Sequence, residues 1–286
     1  MSEKVTYGAD PEFVLESLPY NSNLNFFSHD KKRKNRFGKD TGGIPLRELR
    51  PAPSKDPITI TNSIRSILQR TYRAHPELDQ TTFRAGSYWK EPLGGHIHIC
   101  GGAWKNSVKI LSNHSDYEEI YTSYCQKHIN PFINLLDWGL AIPLFLVEFP
   151  PESHSRKKQG YGGLGSWRVN NFQLGIEYRT PPSWLVSPHM TLAVFSMVKL
   201  LTESFEKNPS CATYAKNCQD RDVKKKFKEC NISYFNSLYP DIKIFITSLP
   251  SYSEYSDAIN YLWDLIESNH YWNEEPDGWK TWGIKS

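Results

Sequence analysis

Gly175-Ile176-Glu177-Tyr178-Arg179 sets a carboxylate and a guanidinium two residues apart, in a stretch that stops at Pro181-Pro182. In an extended strand such residues share a face, so Glu177 and Arg179 point one way and Ile176 and Tyr178 the other. A single pair of this kind is ordinarily an exposed, ion-paired face. Here the device recurs: Asp10 and Glu12 flank Pro11, Glu48 and Arg50 flank Leu49, and His96 and His98 alternate with Ile97 and Ile99. Short strands with polar pairs on one side and mostly apolar or neutral neighbours on the other predict an antiparallel sheet. One of its faces packs under helices while the other lines a polar trough.

The remaining segments supply the helices. The first strand is expected from Val5 to Leu15, irregular at Pro11 because proline donates no ladder hydrogen bond. The polar residues Asn21 to Lys39 read as a loop, and Leu46 to Leu49 as a short strand. Asp56 to His75 carries Ile60, Ile64, Ile67, Leu68 and Tyr72 at helical spacing. A further helix is expected from Ser115, with His128 packed rather than ligating, and Asn130-Pro131 interrupts it. Phe132 to Val147 is the most apolar stretch, hence core, and is too short and interrupted to span a membrane. Ser155 onward reads as a basic, glycine-rich loop. Ser187-Pro188 opens an apolar helix through Phe205, and beyond Asn208 the pattern is a helical cover. Trp272, Trp279 and Trp282 are expected to pack on that cover or to form a contact surface.

Composition narrows the class. With 286 residues, 38% hydrophobic and 14% aromatic, the chain can bury one large core or two modest ones. The formal charge of +3 gives no support for nucleic-acid binding, and the KKRK run at Lys31 to Lys34 reads as a solvated turn. Five cysteines without a Cys-x-x-Cys pair argue against a disulfide framework and a zinc knuckle, and favour free thiols in a reducing compartment. MSEKVTYGADPEF lacks the apolar centre of a signal peptide, so a cytoplasmic protein is expected.

The carboxylates Asp10, Glu12, Glu48 and Glu177 with a histidine on one trough can hold about two hard divalent cations. Arg50, Arg168 and Arg179 then call for a ligand of opposite sign, which a triphosphate supplies. GADPEF, ELRP, GGHIHI and GSWR…GIEYRTPP, over Tyr7 to Trp184, resemble the motifs of the phage-type carboxylate-amine ligases, predicted amidoligases of the glutamine synthetase and glutamate-cysteine ligase superfamily. The resemblance implies an α+β fold, a curved antiparallel sheet with helices on its outer face, like the glutamine synthetase catalytic domain. It places that domain at residues 1–207, with 208–286 as the cover. It further implies ATP with Mg²⁺ or Mn²⁺, metal ligands at Asp10, Glu12, Glu48, His96 and Glu177, and nucleotide contacts from His98, Arg168 and Arg179. Lys158 is expected to join those contacts, and Tyr161, Gly162 and Gly163 to let the backbone approach. Catalysis by Arg168, Arg179 and Glu177 would form an acyl phosphate that an amine converts to an amide. An amino acid, peptide or cell-wall-type amine is expected rather than ammonia, since the ammonia-site motifs of glutamine synthetase are not recognisable. Glu148 is a guess for the base.

Other readings use the same residues. A guanidino-kinase type phosphotransferase would consume ATP without making an amide. A metal-dependent hydrolase would use the histidines and carboxylates but leave three arginines surplus. A non-catalytic assembly or binding protein would keep the fold alone, at the cost of clustered carboxylates that repel unless a cation is bound.

Overall fold

A computed structural model describes residues 5–17, 36–39, 46–86, 92–101, 125–170, 175–272 and 277–286. Its centre is an open antiparallel sheet in the order β2 (Arg36–Lys39), β3 (Leu46–Arg50), β1 (Thr6–Glu16), β5 (Gly95–Cys100), β7 (Gly175–Tyr178), β6 (Trp167–Asn170), with β4 (Thr82–Arg84) also pairing β1. The architecture is the expected α+β. Three strands escaped the sequence reading: β2 lies in the segment read as loop, β4 is only three residues long, and β6 follows directly on the glycine-rich stretch.

β1 is continuous through Pro11 rather than irregular there. It pairs β5 along Thr6–Pro11 and β4 along Val14–Glu16, so the residue with no N–H falls where the first ladder ends. Along β1 the two-residue period sorts the side chains. Tyr7, Ala9, Phe13 and Leu15 join Leu49, Ile97, Ile99, Ile176 and Tyr178 in the main core. Asp10, Glu12 and Val14 take the opposite face, where Val14, Leu46 and Leu93 form a small apolar cluster of their own.

Helices cover the first face. Pro57–Ala74 begins at Asp56, whose carboxylate accepts the Thr59 N–H, and Pro188–Lys207 begins at Ser187, whose hydroxyl accepts from Met190. Each cap stabilises its helix by about 1 kcal/mol. The apolar stretch is a helical run with π-helical turns at Cys125–Ile129 and Asp137–Ala141 between α-helical Asn130–Leu136 and Ile142–Val147. Contrary to the expected interruption, Lys127–Val147 is long and apolar enough to cross a membrane, but 83% of its most apolar window is buried inside the fold. It is therefore the core helix. His128 is exposed instead of packed, and the start expected at Ser115 lies outside the described residues.

Two further expectations change. The basic segment after Ser155 is the end of a helix, Pro150–Lys158. Prolines begin it, Glu152 lies in its first turn and Arg156, Lys157 and Lys158 in its last, as the helix dipole favours. The C-terminal tryptophans do not sit on the cover alone. Trp279 packs at a tilt against Tyr72 and Phe83 with ring centroids 5.1 Å away, and its Nε1 donates to Thr81. Trp282 donates to the Leu185 carbonyl, and both indoles are fully buried. The last residues thus pack at the foot of β4.

Trp279→Ala is expected to cost about 3–5 kcal/mol of unfolding free energy. Chemical denaturation measures it; a loss below about 1 kcal/mol would show that the tail is not part of the core.

Candidate functional site

Strand register assembles the trough. Gly8 pairs with His98, His98 with Glu177, and Glu177 with Arg168, giving one row across four strands. Asp10 pairs with His96 in the next row and Glu12 with Glu48 beyond it. Residues at alternate positions of adjacent antiparallel strands share a face, so these side chains meet without help from loops.

The densest point is Asp10, His98 and Glu177. One ligand-capable atom from each lies within 4.8 Å of the others. His98 Nε2 is 3.1 Å from Asp10 Oδ1 and 3.8 Å from Glu177 Oε2. Asp10 Oδ1, His98 Nε2 and Glu177 Oε1 are all buried without a hydrogen-bond partner. Buried polar atoms are nearly always hydrogen-bonded, so three that are held only by charge contacts among themselves and with His96 and Arg179 mark a place for a ligand. Two carboxylate oxygens and one imidazole nitrogen fit a divalent cation. The sequence reading gave the metal to His96 and the phosphates to His98, whereas here His98 completes the three-residue set. His96 Nδ1 lies 3.5 Å from Asp10 Oδ1 and 3.7 Å from Glu177 Oε1.

Arginines border the cluster. Arg168 Nε donates to Glu177 Oε2 at 2.6 Å while its side chain stays 59% exposed, and Arg179 Nη1 is 3.4 Å from Glu177 Oε1. Arg50 grips both oxygens of Glu48. Glu12 is held differently: the Gly94 N–H donates to Oε2, and the Tyr161 hydroxyl, 2.8 Å from His96 Nε2, reaches Oε1 at 3.2 Å. Of the expected nucleotide contacts Lys158 stands apart, exposed at its helix end. Its neighbour Lys157 is buried and donates to the Gly162 carbonyl. Glu148 is also buried, accepting from Ser153 in the Pro150–Lys158 helix.

The sequence reading missed Arg156. Fully buried, it donates to the carbonyls of Leu93, Thr180 and Pro181, and its guanidinium lies over the Tyr161 ring at 5.2 Å. Gly162 has φ +64°, and a Cβ there would come within 2.1 Å of Arg156 Nη2, so only glycine fits. Nothing in the sequence distinguishes Arg156 from the neighbouring lysines, because its role is set by carbonyls from two remote segments.

Electrostatics follow from this crowding. Burial by itself would raise the Asp10 carboxyl, but the adjoining His98 and His96 hold it far below the ordinary range. Burial would lower both imidazoles, yet Asp10 raises each above its ordinary 6.5. Burial pushes Lys157 down to about 7, assisted by Arg156.

These shifts fix a pH profile for chelator-treated protein. The histidine contribution is complete below pH 6.5 and is lost as pH rises through their raised values. The Asp10 contribution is complete above pH 3.8 and is lost as pH falls through its depressed value. Thermal midpoints from pH 4 to 9 are expected to decline above pH 6.5 in the wild type more steeply than in Asp10→Asn. Parallel profiles would show that the three groups do not interact.

The family described as phage phiEco32-like COOH.NH2 ligase-type 2 matches residues 7–117 and 125–284, which carries the likeness past Trp184 and through the C-terminal helices. No curated protein sequence matches. Among solved structures, a bifunctional glutathione synthetase from Pasteurella multocida is 10% identical with a TM-score of 0.45, over 99% of this chain and 48% of that one. A structure titled as a novel glutamine synthase homolog is 14% identical with a TM-score of 0.40, over 93% of this chain and 71% of that one. The chain thus spans about half the length of the first.

Proposed function

The chain belongs to the phage phiEco32-like COOH.NH2 ligase-type 2 family, and from that membership and the trough geometry we propose an ATP-dependent ligase that joins a carboxylate to an amine through an acyl phosphate. The observation that carries the reading is the convergence of three buried ligand-capable side chains, Asp10, His98 and Glu177, within 4.8 Å of one another and beside Arg168 and Arg179. Mg²⁺ or Mn²⁺ held by those three residues, with Glu12 and Glu48 as further carboxylates, would supply charge stabilisation for a transferring phosphoryl group.

The chain's own residues do the rest. Arg50, Arg168 and Arg179 each engage a trough carboxylate, and guanidinium charge in that position complements triphosphate oxygens. The substrate carboxylate attacks the γ-phosphorus, the bridging P–O bond breaks and ADP leaves. The arginines oppose the charge that accumulates on the equatorial oxygens. An amine nitrogen then attacks the acyl carbon, the C–O bond to phosphate breaks, and the nitrogen passes a proton to the departing phosphate as the amide forms. Tyr161 keeps Glu12 and His96 oriented across the trough. An amino-acid, peptide or cell-wall-type amine is the proposed acceptor, and a cytoplasmic pool of ATP the donor.

Phosphate release from Mg-ATP is expected only when an acid and an amine are both supplied, and Arg168→Ala or Arg179→Ala should lower its rate by about 10² to 10³. A stable phosphorylated acid or amine with no amide would overturn the ligase. Glu177→Gln is expected to abolish Mg-ATP binding in calorimetry while leaving the thermal midpoint unchanged or raised, because it removes a clustered buried charge. An unfolded variant would make Glu177 structural instead.

A further inference from the structure

Asp137 is a carboxylate with no exposed surface, set in the most apolar run of the chain, on the opposite side of the sheet from the trough. It opens the π-helical turn Asp137–Ala141, and each of its oxygens is used. Oδ1 accepts from the Tyr178 hydroxyl and Oδ2 from the Gly165 N–H, both at 2.6 Å. Burial pushes its pKa up to about 7 in spite of those donors. A buried carboxyl is costly compared with an apolar side chain of similar size, and π-turns of this kind gather at functional positions.

The two groups it holds belong to opposite sides of one strand pair. Tyr178 is the β7 residue between Glu177 and Arg179, and Gly165 stands two residues before β6. Between them, the Arg179 N–H donates to the Ser166 carbonyl, Ser166 N–H donates to Thr180 Oγ1, and Thr180 Oγ1 donates to the Gly163 carbonyl. β6 is a four-residue strand at the end of the sheet path, with no ladder on its outer side among the described residues. Such a strand has weak register of its own, and a slip of one residue would turn Arg168 to the other face. We infer that Asp137 is a positioning residue that pins β6 to β7 from behind, and so keeps Arg168 opposite Glu177 in the trough.

The nucleotide part of this inference rests on the ligase reading; the register part does not. Asp137→Asn keeps an acceptor oxygen for the Gly165 N–H but puts an NH2 donor where the second oxygen stood, so the Tyr178 hydroxyl must accept instead of donate and both bonds lose their charged acceptor. Amide exchange at residues 165–170 should then accelerate about tenfold or more, while amides of the Tyr252–Glu267 helix keep their rates. Exchange that is unchanged, or faster throughout the chain, overturns the pin. For the trough, Asp137→Asn should weaken Mg-ATP about tenfold in calorimetry and leave the affinity for Mn²⁺ alone unchanged, since β7 is still paired with β5. In a double-mutant cycle, Asp137→Asn combined with Arg168→Ala should bind Mg-ATP no more weakly than Arg168→Ala. Additive losses overturn the inference, because Asp137 would then act by another route. A wild type that binds no Mg-ATP refutes the ligase reading and leaves the exchange experiment to decide the pin alone.

Discussion

Asp10 and Glu177 bring two carboxylates to one nearly dry point, and the rest of the trough is arranged around that repulsion. Like charges this close cannot both stay ionised in a low-dielectric setting unless positive charge is supplied. In the described residues it comes from His96 and His98, whose imidazoles are held toward the protonated form, and from Arg168 and Arg179 on the Glu177 carboxylate. Even so, three of these atoms make charge contacts without an aligned hydrogen bond. A site compensated at its rim and without aligned hydrogen bonds at its centre is suited to exchanging a cation and a polyanion.

The opposite face supplies rigidity. Its alternating residues are apolar and continuous with the helical core, so each strand is fixed by burial of one side while the other carries charge. Polar groups interrupt this core at a few places, and several of those bind segments that lead into the trough. Arg156 joins the approach to β5 to the exit of β7, Lys157 and Thr180 hold the glycine turn at residues 162–163, and Asp137 holds its end. Each is a buried polar group with at least one hydrogen bond to backbone, the arrangement that restricts a loop to one conformation.

Much of the trough was legible because a strand's period is two. Once Asp10/Glu12, Glu48/Arg50, His96/His98 and Glu177/Arg179 were seen as same-face pairs, antiparallel pairing sufficed to bring them together, and register confirms the meeting of Glu12 with Glu48 and of His98 with Glu177. The helices at Pro57–Ala74 and Pro188–Lys207 were equally legible, since caps and apolar spacing agreed. β2, β4 and β6 were not: three or four residues are too few to show a period. The basic stretch after Ser155 misled because a glycine-rich segment follows it directly, although its prolines and charges suit a helix.

The sequence by itself determined which residues face the trough, which bury behind it, and that carboxylates, histidines and arginines would share one surface, because those properties follow from local period and chemistry. Only the tertiary structure decided that both histidines stand with Asp10 and Glu177, that Tyr161 reaches Glu12, and that Arg156 and Asp137 act while fully buried. These depend on strand register and on contacts between segments from 24 to 149 residues apart, for which no local pattern carries information.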